Sequence, residues 1–207
     1  MLADMTVTSE APGAVEDKNN FRQRLLDALE ESIAEDGYGK TTVADIVRRA
    51  RTSRRTFYEH FDSREACFLG LLAEAYAGQV RQISAAVDPN SPWQVQVRQA
   101  IEAWISSAES RSALMLSATR DLPGLGAAAR DLQREVTENF IDMVQALGGT
   151  DEFRSAGIGP VSRPRVVMLL GGLRELTAIT VEDGGRMSDI TEEAVGASIA
   201  LLRPDAA

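Results

Sequence analysis

From Thr41 to Phe61 the chain reads TTVADIVRRARTSRRTFYEHF, and this stretch limits the fold more than any other because it spells two short helices joined by a three-residue turn. Thr42 followed three residues later by Asp45 has capping-box spacing: the hydroxyl accepts a first-turn N–H, and the carboxylate sits at the positive end of the helix dipole. A helix is therefore expected from about Val43, with Val43, Ile46, Val47 and Ala50 on one face and Arg48 and Arg49 elsewhere. Ser53 caps a second helix. There Phe57 and Phe61, four apart, are expected to be buried together, which turns Arg54, Arg55, Thr56, Tyr58 and His60 outward.

Arg54 and Arg55 oppose the dipole of the helix they open, at a cost of roughly a few tenths of a kcal/mol each, so helix stability alone does not place them there. An anionic partner does. In helix-turn-helix docking the first residues of the second helix reach base edges in the major groove, and arginine pairs bidentately with guanine O6 and N7. The competing account is a solvated basic face; the two capped helices around the arginines weigh against it.

Phe21 to Tyr76 resembles the DNA-binding domain of the tetracycline-repressor (TetR) family of transcriptional regulators. The resemblance rests on a leading helix ending in Gly37-Tyr38, on Thr41-Thr42-Val43-Ala44-Asp45-Ile46, on Thr56-Phe57-Tyr58-Glu59-His60-Phe61, and on Ser63-Arg64-Glu65 opening a fourth helix. One departure is Arg51-Thr52, where many members carry Gly-Val. Without that glycine either Arg51 is left-handed, at a cost of about 1 kcal/mol or more, or the turn differs slightly in shape. The resemblance implies a DNA-facing set of Thr42, Val43, Ser53, Arg54, Arg55, Thr56, Tyr58, His60 and Arg64, with Thr42, Tyr58, His60 and Arg64 on phosphates and Arg54, Arg55 and Thr56 toward the bases. Each has a plainer role available: Thr42 as a cap, Tyr58 as a packing ring, Arg64 as a solvated charge.

The formal charge of −9 looks wrong for a DNA partner until its distribution is read. Lys40 to Arg64 holds seven Lys or Arg against three acids, a net of +4, whereas Ala66 to Ala207 holds twelve arginines against eighteen acids, a net of −6. A local basic surface on an acidic body suits a selective binder. His60 and Cys67 are the lone histidine and cysteine, so no His/Cys metal cluster and no internal disulfide is expected; no cofactor is called for. No signal peptide and no apolar run of roughly 20 residues is visible, and a cytoplasmic protein is expected.

The pattern predicts an all-α chain of about nine helices: a mobile tail over 1–19, a three-helix head over 20–65, and a helical effector-binding and dimerisation body over 66–207. Phe21, Leu25, Leu29 and Ile33 mark the first helix at four-residue steps, Gly148 to Ser162 reads as a loop, and the last helix has Asp189 and Glu192 at capping-box spacing. The final two helices are apolar around much of their circumference. In TetR-like proteins that pair builds a four-helix bundle with its twin, which implies a homodimer joined through Val167, Leu170, Gly171, Leu176, Ile190, Ala194 and Leu201, as a palindromic operator requires. A helix inside a monomer core is the other account.

Many family members also bind a small molecule in the body. Here Trp93, Trp104, Met115, Phe140, Met143 and Met168 are candidate walls for a lipophilic effector, although each also fits an ordinary core. Arg120, Arg165, Arg174 and Glu175 are candidate polar anchors. The resemblance thus implies a repressor released by an effector. The alternatives are a DNA-binding dimer without a small ligand and, more remotely, a helical enzyme. No Gly-rich phosphate loop, nucleophile elbow or second histidine supports the last of these.

Overall fold

Local caps set the head. In a computed structural model that describes residues 12–203, with side chains from Asn19, helix α1 runs Pro12–Asp36 and stops at Gly37, whose φ of 79° only glycine adopts cheaply. The helix thus begins earlier than expected, and residues 12–19 belong to it. Pro12 has no N–H to leave unsatisfied and a φ suited to a first helical position. The rest of the expected tail, residues 1–11, lies outside the described residues.

Helix α2 spans Val43–Arg49, α3 Arg54–His60 and α4 Arg64–Ala86. Leu25, Leu29, Ile46, Phe57 and Phe68 are fully buried between them, and Tyr38 stacks on Phe68 with ring centroids 4.1 Å apart. Each such side chain contributes about 1.5–3 kcal/mol by leaving water. The same apolar cluster continues along α4 through Leu72 and Ile83 into the body, so α4 is packed at both ends. A second tie is the ion pair of Arg111 with Glu30 of α1.

The body consists of α5 (Trp93–Ser110), α6 (Ser112–Arg120), α7 (Ala127–Gly148), α8 (Asp151–Ser155), α9 (Arg163–Glu182) and α10 (Thr191–Leu202). The described residues form ten helices, three short 3-10 turns and no strand. None of the helices is long and apolar enough to cross a membrane. The helix beyond the expected nine is α8, inside the stretch read as a loop. Acids Asp151 and Glu152 in its first turn favour it, and Phe153, 3 % exposed, anchors it against Trp93.

The expected cap at Asp189 is also corrected. Met187–Ile190 is a 3-10 turn, and α10 begins at Thr191 without a side-chain cap. Glu192 reaches across to α5, accepting from both Arg98 Nη1 and Nη2 at 2.7 and 2.9 Å. A bidentate guanidinium partner outcompetes a single backbone N–H.

Candidate nucleic-acid interface and effector cavity

The two short helices are capped as their sequence dictates. Thr42 Oγ1 accepts from Asp45 N at 3.2 Å while Asp45 Oδ2 accepts from Thr42 N at 3.1 Å. The Thr42 hydroxyl, then its N–H, holds the Asp45 carboxyl below its ordinary range. Ser53 Oγ accepts from Thr56 N at 3.1 Å, and Ser63 Oγ accepts from Ala66 N at 3.0 Å.

Between them the chain closes α2 with a Schellman motif. Thr52 N donates to Val47 O (3.0 Å), Arg51 N donates to Arg48 O (3.3 Å), and Arg51 takes the left-handed position with φ 49°. The side chain that supports this was not legible in the sequence: Arg24 of α1 donates through Nη2 to the carbonyls of Ala50 and Arg51. Arg51→Gly is therefore expected to raise unfolding stability by up to about 1 kcal/mol, because relief of left-handed strain exceeds the added freedom of the unfolded chain. Urea denaturation checks this; a lower midpoint would show that Arg51's side chain outweighs its backbone strain.

Arg54 and Arg55 stand exposed at the start of α3, and among the described residues Arg55 pairs with Glu59, one turn on, at 3.1 Å. Tyr58 is 56 % exposed, Thr42 and Ser53 are exposed, and Thr56 and His60 are half-buried. Two members of the expected DNA-facing set are held inward. Val43 packs on the head core. Arg64 donates through Nη1 to Thr41 O at 2.7 Å and lies over the Tyr38 ring, 4.3 Å from its centroid, so it fastens α4 to the turn before α2 rather than facing outward. Tyr38 and Thr41 lie more than twenty residues from it in sequence, beyond the reach of motif spacing.

In the body, α5, α7, α9 and α10 enclose a cavity of about 70 Å³ walled by Val97, Ile101, Trp104, Phe140, Met143 and Leu173 among others. Of the expected walls, Trp104, Phe140 and Met143 meet there. Trp93 is buried behind them against Phe153, and Met115 borders a separate crevice beside Tyr76 and Arg174. Met168 is corrected outright: it is 56 % exposed on the far side of α9. Sequence reading missed Gln96 on α5 and Ser198 and Leu202 on α10, which also line the cavity. A cleft of about 300 Å³ between α4 and α7 shares the Phe140 wall.

None of the expected polar anchors lines the main cavity. Arg120 bridges Glu175 (2.9 Å) and Glu182 (2.7 Å) along α9, which lowers both carboxyl pKa values. Arg165 reaches the Arg203 carbonyl, and Arg174 borders the Met115 crevice. Cys67 is fully buried and its thiol is pushed up to about 12 by that burial, which makes it inert.

The outer faces of α9 and α10 differ in part from expectation. Val167, Met168 and Ile179 are exposed at 44 %, 56 % and 44 %, beside exposed Gly171, Gly172, Gly196, Ala197 and Ala200. Leu176, Ile190 and Leu201 are half-buried, whereas Leu170 and Ala194, expected on the same face, are buried in the chain's own core. Both lie on the inward turn of helices whose apolar residues surround most of the axis.

Residues 25–71 match the family model for bacterial regulatory proteins of the tetR family. The chain is similar to the HTH-type transcriptional regulator YxbF of Bacillus subtilis (strain 168), with 26% identity over 109 residues; the match covers 53% of this chain and 25% of that relative, so it spans about a quarter of the relative's length. Among solved structures, FadR from Bacillus subtilis in complex with stearoyl-CoA aligns with a TM-score of 0.74 at 16% identity, covering 87% of this chain and 99% of that one. The fatty acid degradation regulator FadR from Bacillus halodurans aligns with a TM-score of 0.74 at 17% identity, covering 95% and 99%. At such identities the structures speak for the fold. The capped two-helix head and the match across it make residues 25–71 a helix-turn-helix DNA-binding domain of the tetR type.

Proposed function

We propose that the chain acts in the cytoplasm as a homodimeric repressor that reads a palindromic operator and is released by a small lipophilic effector. The observation that carries the DNA reading is the pair Arg54 and Arg55, exposed at the start of a capped helix where its dipole disfavours them. Arg54, Arg55 and Thr56 face bases, while Thr42, Ser53, Tyr58 and His60 position the head on phosphates. The dimer reading is supported by the exposed apolar and small residues on α9 and α10. Two heads on a two-fold axis then meet successive major grooves about 34 Å apart.

The effector reading is supported by the apolar cavity and by Ile83, through which α4 itself contributes to the cavity wall. A ligand that widens this space pushes directly on the helix that carries the head. About 70 Å³ is far below the roughly 300–1,000 Å³ of drug-sized sites, so binding has to open the cavity, and that difference between arrangements is what lets a ligand shift them. A swing from about 1:99 to 99:1 needs roughly 5.5 kcal/mol of differential affinity. The stearoyl chain of the stearoyl-CoA in the Bacillus subtilis FadR structure supports a ligand with a long apolar part. The small cavity equally favours a second reading, a DNA-binding dimer regulated by abundance or a protein partner; the absence of thermal stabilisation by any apolar compound would select it.

The test is operator affinity, measured on DNA upstream of the chain's own gene and its neighbours against scrambled DNA at equal salt. A preference of about 10³-fold or more is expected, and Arg55→Ala is expected to remove about 1–3 kcal/mol of it without shifting thermal stability. An equal loss on scrambled DNA would reassign Arg55 to phosphate.

A further inference from the structure

Two residues of the cavity wall each carry a buried polar atom without a partner among the described residues. Gln96 is 2 % exposed and lines the cavity. Its Nε2 donates to Ser91 O at 2.8 Å and to Pro89 O at 3.2 Å, which fixes the amide's orientation, since the flipped form would set Oε1 against two carbonyl oxygens. Oε1 is left buried with no partner. Trp104 is 5 % exposed, stands between this cavity and the crevice beside Met115, lining both, and buries its indole Nε1 without an acceptor. Such groups are costly to keep and nearly always satisfied, so a pair of them on one cavity marks where a ligand supplies the missing partners.

The chemistry is constrained further by what is missing from the walls: no charged side chain lines this cavity. A buried carboxylate or phosphate would have no compensating charge there. Gln96 and Trp104 lie eight residues apart on α5, about 12 Å along its axis, with Val97, Ala100 and Ile101 of the lining between them.

We infer that the cavity selects an uncharged, mostly apolar molecule carrying a hydroxyl or N–H that donates to Gln96 Oε1, with Trp104 Nε1 donating to an acceptor further along it. This inference rests on the reading of the body as an effector site and names the chemistry of that site. Gln96 is then the specificity residue: an analogue that lacks the donor leaves Oε1 unpaired and is rejected far more strongly than one that differs only in apolar size.

Calorimetric titration of the full chain with 1-octanol, its isomer 1-methoxyheptane and octanoate tests this. The isomers have the same size and one oxygen each, but only the alcohol donates. The alcohol is expected to bind at least tenfold tighter than the ether and than octanoate, and Gln96→Met is expected to shrink the alcohol–ether gap below threefold while still binding the ether. Trp104→Phe keeps a ring and removes the donor, so it is expected to weaken alcohol and ether alike. Equal binding of the isomers, tightest binding by octanoate, or a gap that survives Gln96→Met overturns the inference while leaving an apolar effector site standing. Should the Met variant not fold, the wild-type ranking decides alone. Binding of none of the three overturns the inference together with the effector reading, and leaves the DNA reading to its own assay.

Discussion

Phe140→Ala is expected to destabilise the protein by about 3–5 kcal/mol and, by the same change, to open its interior to larger apolar ligands. Phe140 is 2 % exposed, and its ring meets Trp104 with centroids 5.4 Å apart. It forms part of the wall of both the 70 Å³ cavity and the 300 Å³ cleft against α4, so removing the ring joins the two into a passage that reaches Tyr76 and Ala77. The surrounding helices are close-packed and relax only in part, hence the size of the expected loss. Equilibrium urea unfolding reads the first effect, and calorimetry with toluene, expected to bind the variant at least tenfold tighter than the wild type, reads the second. A loss under about 1 kcal/mol with no gain in toluene binding would show that the body collapses around this position and that the two spaces are not separated by Phe140.

How much was legible in the sequence follows how local each interaction is. Thr42 with Asp45 and Ser53 with Thr56 are contacts over three residues, and spacing alone located them. The missing glycine of the family turn left two readings of Arg51, a left-handed backbone or a turn of different shape, and the φ of 49° matches the first. The ties of Arg64 to Tyr38 and Thr41 were hidden because these residues meet it only through the tertiary fold, and the same distance hid Arg24. Glu192 has cap spacing with Asp189, yet Arg98, 94 residues away in sequence, takes its carboxylate. The short α8 has too few turns to show a helical period. In α9 and α10 the limit is of another kind. When nearly every face is apolar, periodicity cannot say which face the chain buries itself, so Met168 was assigned inward and Leu170 and Ala194 outward, each to the wrong side.

Gly172→Arg is expected to abolish the dimer at micromolar concentration and with it most of the operator affinity, while the isolated chain keeps its fold. Among the described residues nothing stands within 4 Å of a Cβ built on Gly171 or Gly172, so the chain's own packing does not require either glycine, although each costs its helix about 1 kcal/mol relative to alanine. On a free surface, arginine and alanine at this position would both stabilise the helix, by roughly 0.5–1 kcal/mol. At a two-fold seam between α9 helices the outcome reverses. Backbones that approach closely leave no room for a side chain, and an unpaired guanidinium beside its own symmetry copy costs about 3–5 kcal/mol, on the order of 10²–10³ in the dimer equilibrium. Operator affinity falls further, because two tethered heads bind with an effective concentration that a monomer lacks. Sedimentation equilibrium and operator titration of the wild type, Gly172→Ala and Gly172→Arg separate the two surfaces. If both variants remain dimeric and alanine raises the unfolding midpoint, the seam lies elsewhere; if alanine loosens the dimer and arginine dissolves it with helical content unchanged, α9 meets its twin at these glycines.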